Sequence, residues 1–338
     1  MRVVSLGSGS SGNALLVEAG PHGRTRLLVD AGFSARVIAE RLQKIGVYPS
    51  QLQGVLVTHE HSDHVLGLPI LMKRYGIPVI TNPRTYAAIE EGLASGMWRS
   101  DSGKLILSQK EEKELIEASN GTTSSQPIPG AEEAFMALSA STFAQIEPME
   151  ADGRGAQTLF AAMEVGTSRV VGDITVTSFP ISHDAIAPCG YLLSAGGCRV
   201  CVVTDSGEVT PVMLDMMRQA DLLVLESNHD RERLLRGPYP YHLKMRILSA
   251  TGHLSNDQAA EAVLRTWRPD SVRWLWLSHL SRTNNTPTLA LNSMRARLQA
   301  ARANLAQIHI SVSPPAMGHA WDSTQLWHAP SLWDMQGS

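Results

Sequence analysis

The sequence predicts a layered α/β protein, and two observations carry the prediction. Short apolar runs rich in Val, Leu and Ile alternate with stretches of helical periodicity along most of the 338 residues. Several of those runs also stop at a histidine or a carboxylate, so that Asp30, His59, His183, Asp205 and His279 all stand where a strand ends. A hydrophobic fraction of 43% is ample for a sizeable core. Length alone suggests about two domains, although α/β proteins of this size also form one compact unit.

The first strand, Arg2-Val3-Val4-Ser5-Leu6, runs into Gly7-Ser8-Gly9-Ser10-Ser11-Gly12-Asn13, and Ala14-Leu15-Leu16-Val17-Glu18 resumes as the second. The glycine-rich link lacks the Gly-Lys-Ser/Thr ending of a P-loop and leads into a strand, which excludes a nucleotide-binding loop of that kind. It is either a tight turn between paired strands or a substrate-facing loop whose Ser10, Ser11 and Asn13 touch phosphate. Residues 26–32 read as a third strand that ends in Asp30. A helix follows over 34–45, with Ser34 as its N-cap and Gly46 at its stop. Residues 54–57 form a short buried strand, 66–75 a helix ended by Gly76, 78–81 a strand and 84–93 a helix. From about 108 to 166 the chain turns small, polar and Pro/Gly-rich, which predicts a partly mobile insertion, either a surface elaboration or a substrate lid. Beyond it, strands are expected at 173–180, 191–193, 198–204, 221–226, 272–277 and 307–312, and helices at 243–250 and 257–266. Residues 313–338 carry Trp321, Trp327 and Trp333 among Pro, Gly and Ser and read as a docked or loose tail. The domain is therefore placed at 1–312, in two α/β halves of 1–190 and 191–312.

Net charge is −3, so no global basic field points to nucleic acid, and any such contact must use local patches. One candidate is Arg231, Arg233, Arg236, Lys244 and Arg246, with Asp230 and Glu232 as counter-charges, though a solvated helix face has the same pattern. No apolar run is long enough to span a membrane and no secretory segment opens the chain, so a cytoplasmic protein is expected. The three cysteines are Cys189, Cys198 and Cys201, and any disulfide would leave one over. Cys198-Arg199-Val200-Cys201 lies inside a strand pattern, where positions three apart face opposite sides. A redox or metal pair is therefore not expected there; the reading is buried small hydrophobes.

The chemistry gathers in Thr58-His59-Glu60-His61-Ser62-Asp63-His64, just after the strand at 54–57. Three imidazoles and a carboxylate in so short a stretch exceed anything packing requires. Their nitrogen and oxygen donors suit zinc, manganese or iron rather than calcium. His59 and His61, two apart in extended chain, point to one side and can grip one ion. Asp63 and His64 lie where the chain turns into a helix and can face a second.

His-x-His-x-Asp-His after a strand resembles the signature of the metallo-β-lactamase-fold hydrolases, a superfamily of binuclear metal enzymes. The resemblance implies an αββα metallo-β-lactamase-fold sandwich with two divalent ions, Zn2+ or Mn2+ with Fe as a further option. One ion would take His59, His61 and His183, the other Asp63, His64 and His279, and Asp205 would bridge them. That arrangement leaves room for a metal-bridging hydroxide that attacks phosphorus or a carbonyl, with Asp63 orienting it. Asp30 resembles the aspartate that braces the metal loop from behind. His253 is similar to the proton donor of the phosphodiester-cleaving branches, and Glu226 to the carboxylate that orients it. His229 either touches substrate or supports a neighbouring ligand.

A narrower resemblance lies in the second half. Ser227-Asn228-His229-Asp230, Gly237-Pro238-Tyr239-Pro240-Tyr241-His242-Leu243-Lys244, Gly252-His253-Leu254-Ser255-Asn256 and His279-Leu280-Ser281-Arg282-Thr283-Asn284-Asn285 look like the YycJ/WalJ-type group. Its members are implicated as 5′-to-3′ exonucleases on DNA, which places Arg282 against substrate. Together with the opening glycine-rich loop the resemblance covers most of 1–312, and the insertion and the tail depart from it. The expected function is a binuclear metal-dependent phosphodiesterase or exonuclease acting on DNA. A tRNA 3′-processing endonuclease is the alternative, although no long basic arm is visible. A glyoxalase II-like thioesterase, or another ester or lactam hydrolase, would use the same ligands, but Asp205 speaks against true β-lactamases. A non-catalytic binding protein is disfavoured because every ligand position is filled.

Overall fold

Two seven-stranded sheets face each other, and the apolar runs of the sequence supply both. The computed structural model describes residues 1–94, 159–269 and 271–326. Strands are numbered in chain order. The first sheet runs β14 (Ala320–Asp322), β1 (Arg2–Gly7), β2 (Ala14–Ala19), β3 (Thr25–Val29), β4 (Gly54–Leu56), β5 (Val79–Thr81) and β6 (Phe160–Ala162). The second runs β13 (Ile308–Val312), β12 (Arg273–Ser278), β11 (Leu222–Glu226), β10 (Cys198–Val203), β9 (Cys189–Ala195), β8 (Ile174–Pro180) and β7 (Ser168–Val171). The strands from β3 to β6 and from β10 to β13 pair in parallel. Parallel strands are covered on both faces, which is why β11 reads as the unbroken run Leu-Leu-Val-Leu and is buried throughout. β8, antiparallel to β7 and β9, instead alternates buried Ile174 and Val176 with Thr175 and Thr177.

The core between the sheets joins Val3, Leu15, Val17, Leu27 and Val29 to Val176, Tyr191, Val200, Val202, Val224 and Trp276. A second cluster lies under the helices Pro211–Arg218, Asn256–Arg265 and Pro287–Ala300, through Met213, Met217, Val263, Met294 and Leu298. The helices Ala35–Gln43 and Leu68–Tyr75 bury Ile38, Leu42, Leu68 and Leu71. The architecture is an α/β sandwich of two sheets with helices. By contact density the chain forms one unit of Met1–Thr85 with Thr158–Ser338, and another of Tyr86–Gln157. Of the latter, the described part is the end of the helix Pro83–Ala94. Cys198 belongs to the core between the sheets and Cys201 to the cluster under the helices, so the C-x-x-C pair does face opposite sides. Both are free thiols, and burial pushes Cys201 up to about 12.

Four boundaries differ from the sequence reading. The division between halves falls near 163–167 rather than 190, because β7, β8 and β9 continue the antiparallel ladder onto β10. Past 312 the chain returns to the first sheet: β14 pairs antiparallel with β1, with Trp321 opposite Val3 and 1% exposed. The insertion expected at 108–166 lies outside the described residues as far as 158, but residues 160–162 form β6, in register with Val79–Thr81. The helix expected at 66–75 starts within the histidine motif, as Ser62–Val65 and then Leu68–Tyr75.

Asp173, in the turn between β7 and β8, accepts from Arg24 Nε at 2.7 Å and from Thr25 Oγ1 at 2.8 Å, tying the start of β3 to the opposite sheet. Those hydrogen bonds, Arg24's first, hold its carboxyl at about 2. A depressed carboxylate stabilises the fold above the unfolded pKa of 3.8 and loses that contribution as pH falls through about 2. The stability advantage of the wild type over Asp173→Asn should therefore be full above about pH 4 and fade below it, as chemical denaturation at stepped pH would read. Trp321→Ala should cost about 3–5 kcal/mol in urea unfolding, the usual cost of deleting a buried tryptophan.

Candidate metal centre

Asp30, His59, His183, Asp205 and His279 follow strand ends, and three of them do so with the same backbone. Asp30 after β3, Asp205 after β10 and His279 after β12 have φ of 62°, 57° and 53°. Non-glycine residues avoid this left-handed region, at a cost of roughly 1–3 kcal/mol each where it is strained. The surrounding hydrogen bonds supply the compensation. The loop after β4 is anchored to the second sheet, since Val57 O accepts from Tyr191 Oη at 2.7 Å and Thr58 O from Cys189 N at 3.0 Å.

Behind the histidine motif sits Asp30, 2% exposed. Its Oδ1 accepts from Thr58 N at 2.9 Å and its Oδ2 lies 2.8 Å from His64 Nδ1. That contact fixes Nδ1 as the protonated nitrogen of His64 and turns Nε2 toward the site. Thr58 Oγ1 lies 3.0 Å from His59 Nδ1 and does the same for that ring. His183 Nδ1 faces the carbonyls of Thr251 and Gly252 at 3.2 and 3.1 Å. His61 Nδ1 and His183 Nε2 then stand 3.3 Å apart.

The ligand-type atoms of His59, His61 and His183 lie within 4.8 Å of one another, as do those of Asp63, His64 and His279, and of His59, His64 and Asp205. Asp205 thus lies close to a member of each of the first two groups. Two atoms in this cluster, His59 Nε2 and Asp205 Oδ2, are buried without a hydrogen-bond partner. Asp205 Oδ2 is only 3.0 Å from His64 Nε2, yet the two are misaligned for a hydrogen bond. Lone pairs that converge without bonding one another fit a shared cation.

The electrostatics agree. Burial opposes the charge on Asp205, but the neighbouring His279 and His64 overcome it and hold the carboxyl well below the usual range. Burial likewise opposes a proton on His64 and His279, and the carboxylates around them, Asp30 and Asp205 foremost, raise both rings well above an ordinary histidine. His59 and His183 lack that compensation in full. Burial pushes His59 well down and His183 to about 4, so both present neutral nitrogens. The carboxylate-rich side attracts positive charge, which a cation supplies while releasing the protons.

Glu226, with no exposed surface, closes the site from beneath. Its Oε1 is 2.8 Å from His253 Nδ1 and 2.9 Å from His279 Nδ1, and its Oε2 accepts from the amides of Ser206 and Leu254. His253 keeps 13% of its side chain exposed. Burial lowers its proton affinity, but the Glu226 charge and hydrogen bond outweigh that and raise it above an ordinary histidine.

The expected substrate contacts fare unevenly. Arg282 Nη2 donates to Ser11 Oγ at 2.9 Å, so those two are brought together beside the glycine-rich loop, and Ser10 is half-buried in the same turn. Asn13 is buried, with Nδ2 3.2 Å from His64 Nε2 and its backbone N donating to Asp63 O. His229 is 0% exposed, and burial pushes its ring down to about 4. Two braces escaped the sequence reading. Ser8 Oγ accepts from His279 N at 2.8 Å and donates to Asn13 Oδ1, while Thr58 joins Asp30 to His59. Adjacency to the motif was the available signal for Thr58; Ser8 had none beyond its place in the glycine-rich loop.

The sequence matches the family described as the metallo-beta-lactamase superfamily over residues 7–134, and a beta-lactamase superfamily domain over 133–275. It is 33% identical over 289 residues to the exodeoxyribonuclease WalJ of Streptococcus pneumoniae, covering 86% of this chain and 85% of that protein. It is 31% identical over 294 residues to the exodeoxyribonuclease YycJ of Bacillus anthracis, covering 87% and 88%. Among solved structures, the metallo-beta-lactamase fold protein YhfI of Bacillus subtilis superposes with a TM-score of 0.55 at 16% identity, over 95% of this chain and 98% of that one.

If Asp30 orients His64 as the geometry requires, Asp30→Ala should weaken divalent-cation binding by about 10–100-fold. Chelator competition measures this, and unchanged affinity would show the brace to be dispensable.

Proposed function

The chain belongs to the metallo-β-lactamase superfamily, in the group that includes WalJ and YycJ, and on that premise we propose that it is a metal-dependent exonuclease that hydrolyses DNA phosphodiesters. The observation that carries the reading is the pairing of buried Glu226 with the partly exposed His253, which points to a leaving group needing a proton. The proposed centre holds two divalent ions, zinc or manganese. His59, His61 and His183 would hold one, Asp63, His64 and His279 the other, and Asp205 would touch both. When bound, such ions supply Lewis-acid charge at the phosphate oxygens and acidify bound water.

The chain's own residues do the rest. Glu226 Oε1 faces His253 Nδ1, fixes the ring's tautomer and stabilises its charge, leaving Nε2 as the tip that delivers a proton to the departing sugar oxygen. Because Glu226 Oε2 is occupied by two backbone amides, the carboxylate cannot swing away and the ring stays aimed. Asp63, whose Oδ2 lies 3.3 Å from His279 Nε2, is the carboxylate placed to orient the attacking water. Arg282 and Ser11 form a hydrogen-bonded pair suited to a phosphate oxygen. Among the described residues no helix is long and apolar enough to cross a membrane.

His253→Ala should lower turnover on DNA by about 10²–10⁴-fold with the metal content unchanged. A p-nitrophenyl phosphodiester, whose leaving group needs little protonation, should lose far less. Equal loss on both substrates would remove His253 from the acid role, and loss of metal would make it a ligand. Elemental analysis under metal excess should find close to two ions per chain, and Asp205→Ala should reduce that number; saturation of the wild type at one ion would contradict the binuclear reading.

A further inference from the structure

Between Glu226 and His253 the chain leaves the sheet for two short helices, Arg231–Arg236 and Tyr241–Ile247. The pair is fastened to the loops that build the metal centre. Arg246 Nε donates to Asp184 Oδ2 at 2.6 Å, next to His183, and Ile247 O accepts from His253 N at 3.0 Å. On the other side, Asp230 N donates to Asn284 O and Arg233 Nε to Thr283 O, both at 2.9 Å, in the loop that begins at His279. Lys244 Nζ donates to Leu235 O at 2.8 Å and joins the two helices. The pair therefore borders the site and is held rigidly against it.

Its outer surface is unusual in two respects. Leu235, Tyr241 and Met245 are 45%, 75% and 37% exposed, large apolar side chains left to solvent. Tyr241 and Met245 are four apart and share a helix face, and Lys244 links that helix to Leu235. Residues 231–247 also carry five basic residues against one acidic, in a chain whose net charge is −3. Arg236 pairs with Glu232 and Arg246 with Asp184, which leaves Arg231, Arg233 and Lys244 without an ion-pair partner among the described residues. Exposed aromatic and apolar groups interleaved with cations outside any ion pair match a ligand that has flat apolar faces strung on an anionic backbone. Single-stranded nucleic acid is that ligand. A duplex hides its base faces and would meet the cations alone.

We propose that this helical pair is the platform for an unpaired stretch of DNA beside the scissile phosphate, with Tyr241 stacking on a base and Arg231, Arg233 and Lys244 meeting phosphates. The proposal rests on the nuclease reading above and narrows its substrate to strands that are single or opened near the site. The test is binding by fluorescence anisotropy of the metal-loaded protein to a 5′-phosphorylated phosphorothioate oligonucleotide, single-stranded or annealed as a blunt duplex, beside cleavage of the unmodified strand. Tyr241→Ala should weaken binding of the single strand by roughly tenfold, Tyr241→Phe should restore it, and neither should change duplex binding or hydrolysis of a p-nitrophenyl phosphodiester. Unchanged single-strand binding in Tyr241→Ala, or equal weakening on both DNA forms, overturns the platform even if DNA is cleaved. Tyr241-dependent binding without cleavage of DNA would sustain the platform and sink the nuclease reading instead.

Discussion

Three carboxylates with almost no exposed surface, Asp30, Asp205 and Glu226, lie at the open ends of the two sheets, and the rest of the site is arranged around their charge. A buried carboxylate without a partner is too costly to keep ionised. Each therefore meets imidazoles, and two of them backbone amides as well: Asp30 meets His64 and Thr58 N, Asp205 meets His64 and His279, and Glu226 meets His253, His279 and two amides. The same requirement explains why strand ends break into the left-handed backbone at Asp30, Asp205 and His279. A cation placed among these groups satisfies at one point what several protons would otherwise share out.

The motif-like segments of the second half become intelligible as one hydrogen-bonded body. Ser227 Oγ donates to Asn256 Oδ1 at 2.7 Å, and Asn285 Nδ2 donates to the same oxygen at 2.8 Å. Asn228 Nδ2 donates to His279 O at 3.0 Å, and Asn256 N to His229 O at 2.9 Å. The loops that carry Glu226, His253 and His279 are thus locked to each other from behind, by asparagines that never reach the surface. A buried hydrogen-bond network of this kind fixes geometry more than it adds stability.

What could be read from the chain alone follows from how local each requirement is. The histidine motif was legible because the residues that must converge are adjacent in sequence, and the parallel strands because burial on both faces leaves an unbroken apolar run. β6 and β14 were not, since three residues carry no usable periodicity and their pairing is decided by β5 and β1. The burial of Asn13 and His229 was not legible either, because polar residues near a motif usually face outward. Their burial is set by segments distant in sequence, Asp63 and His64 in one case and Ser255 and Asn256 in the other. Ser8 had no signal of its own, because the His279 amide it receives comes from 271 positions away.

The pairing of β14 with β1 has a consequence for synthesis. β1 holds Arg2–Gly7 and its outer neighbour holds Ala320–Asp322, so during synthesis β1 is made long before the strand that covers its edge. Until then Val3 and Val4 border an open row of amides and carbonyls, the kind of edge that recruits other strands. The nascent protein is thus open to misassembly along β1. That vulnerability ends only when the last part of the described chain has emerged.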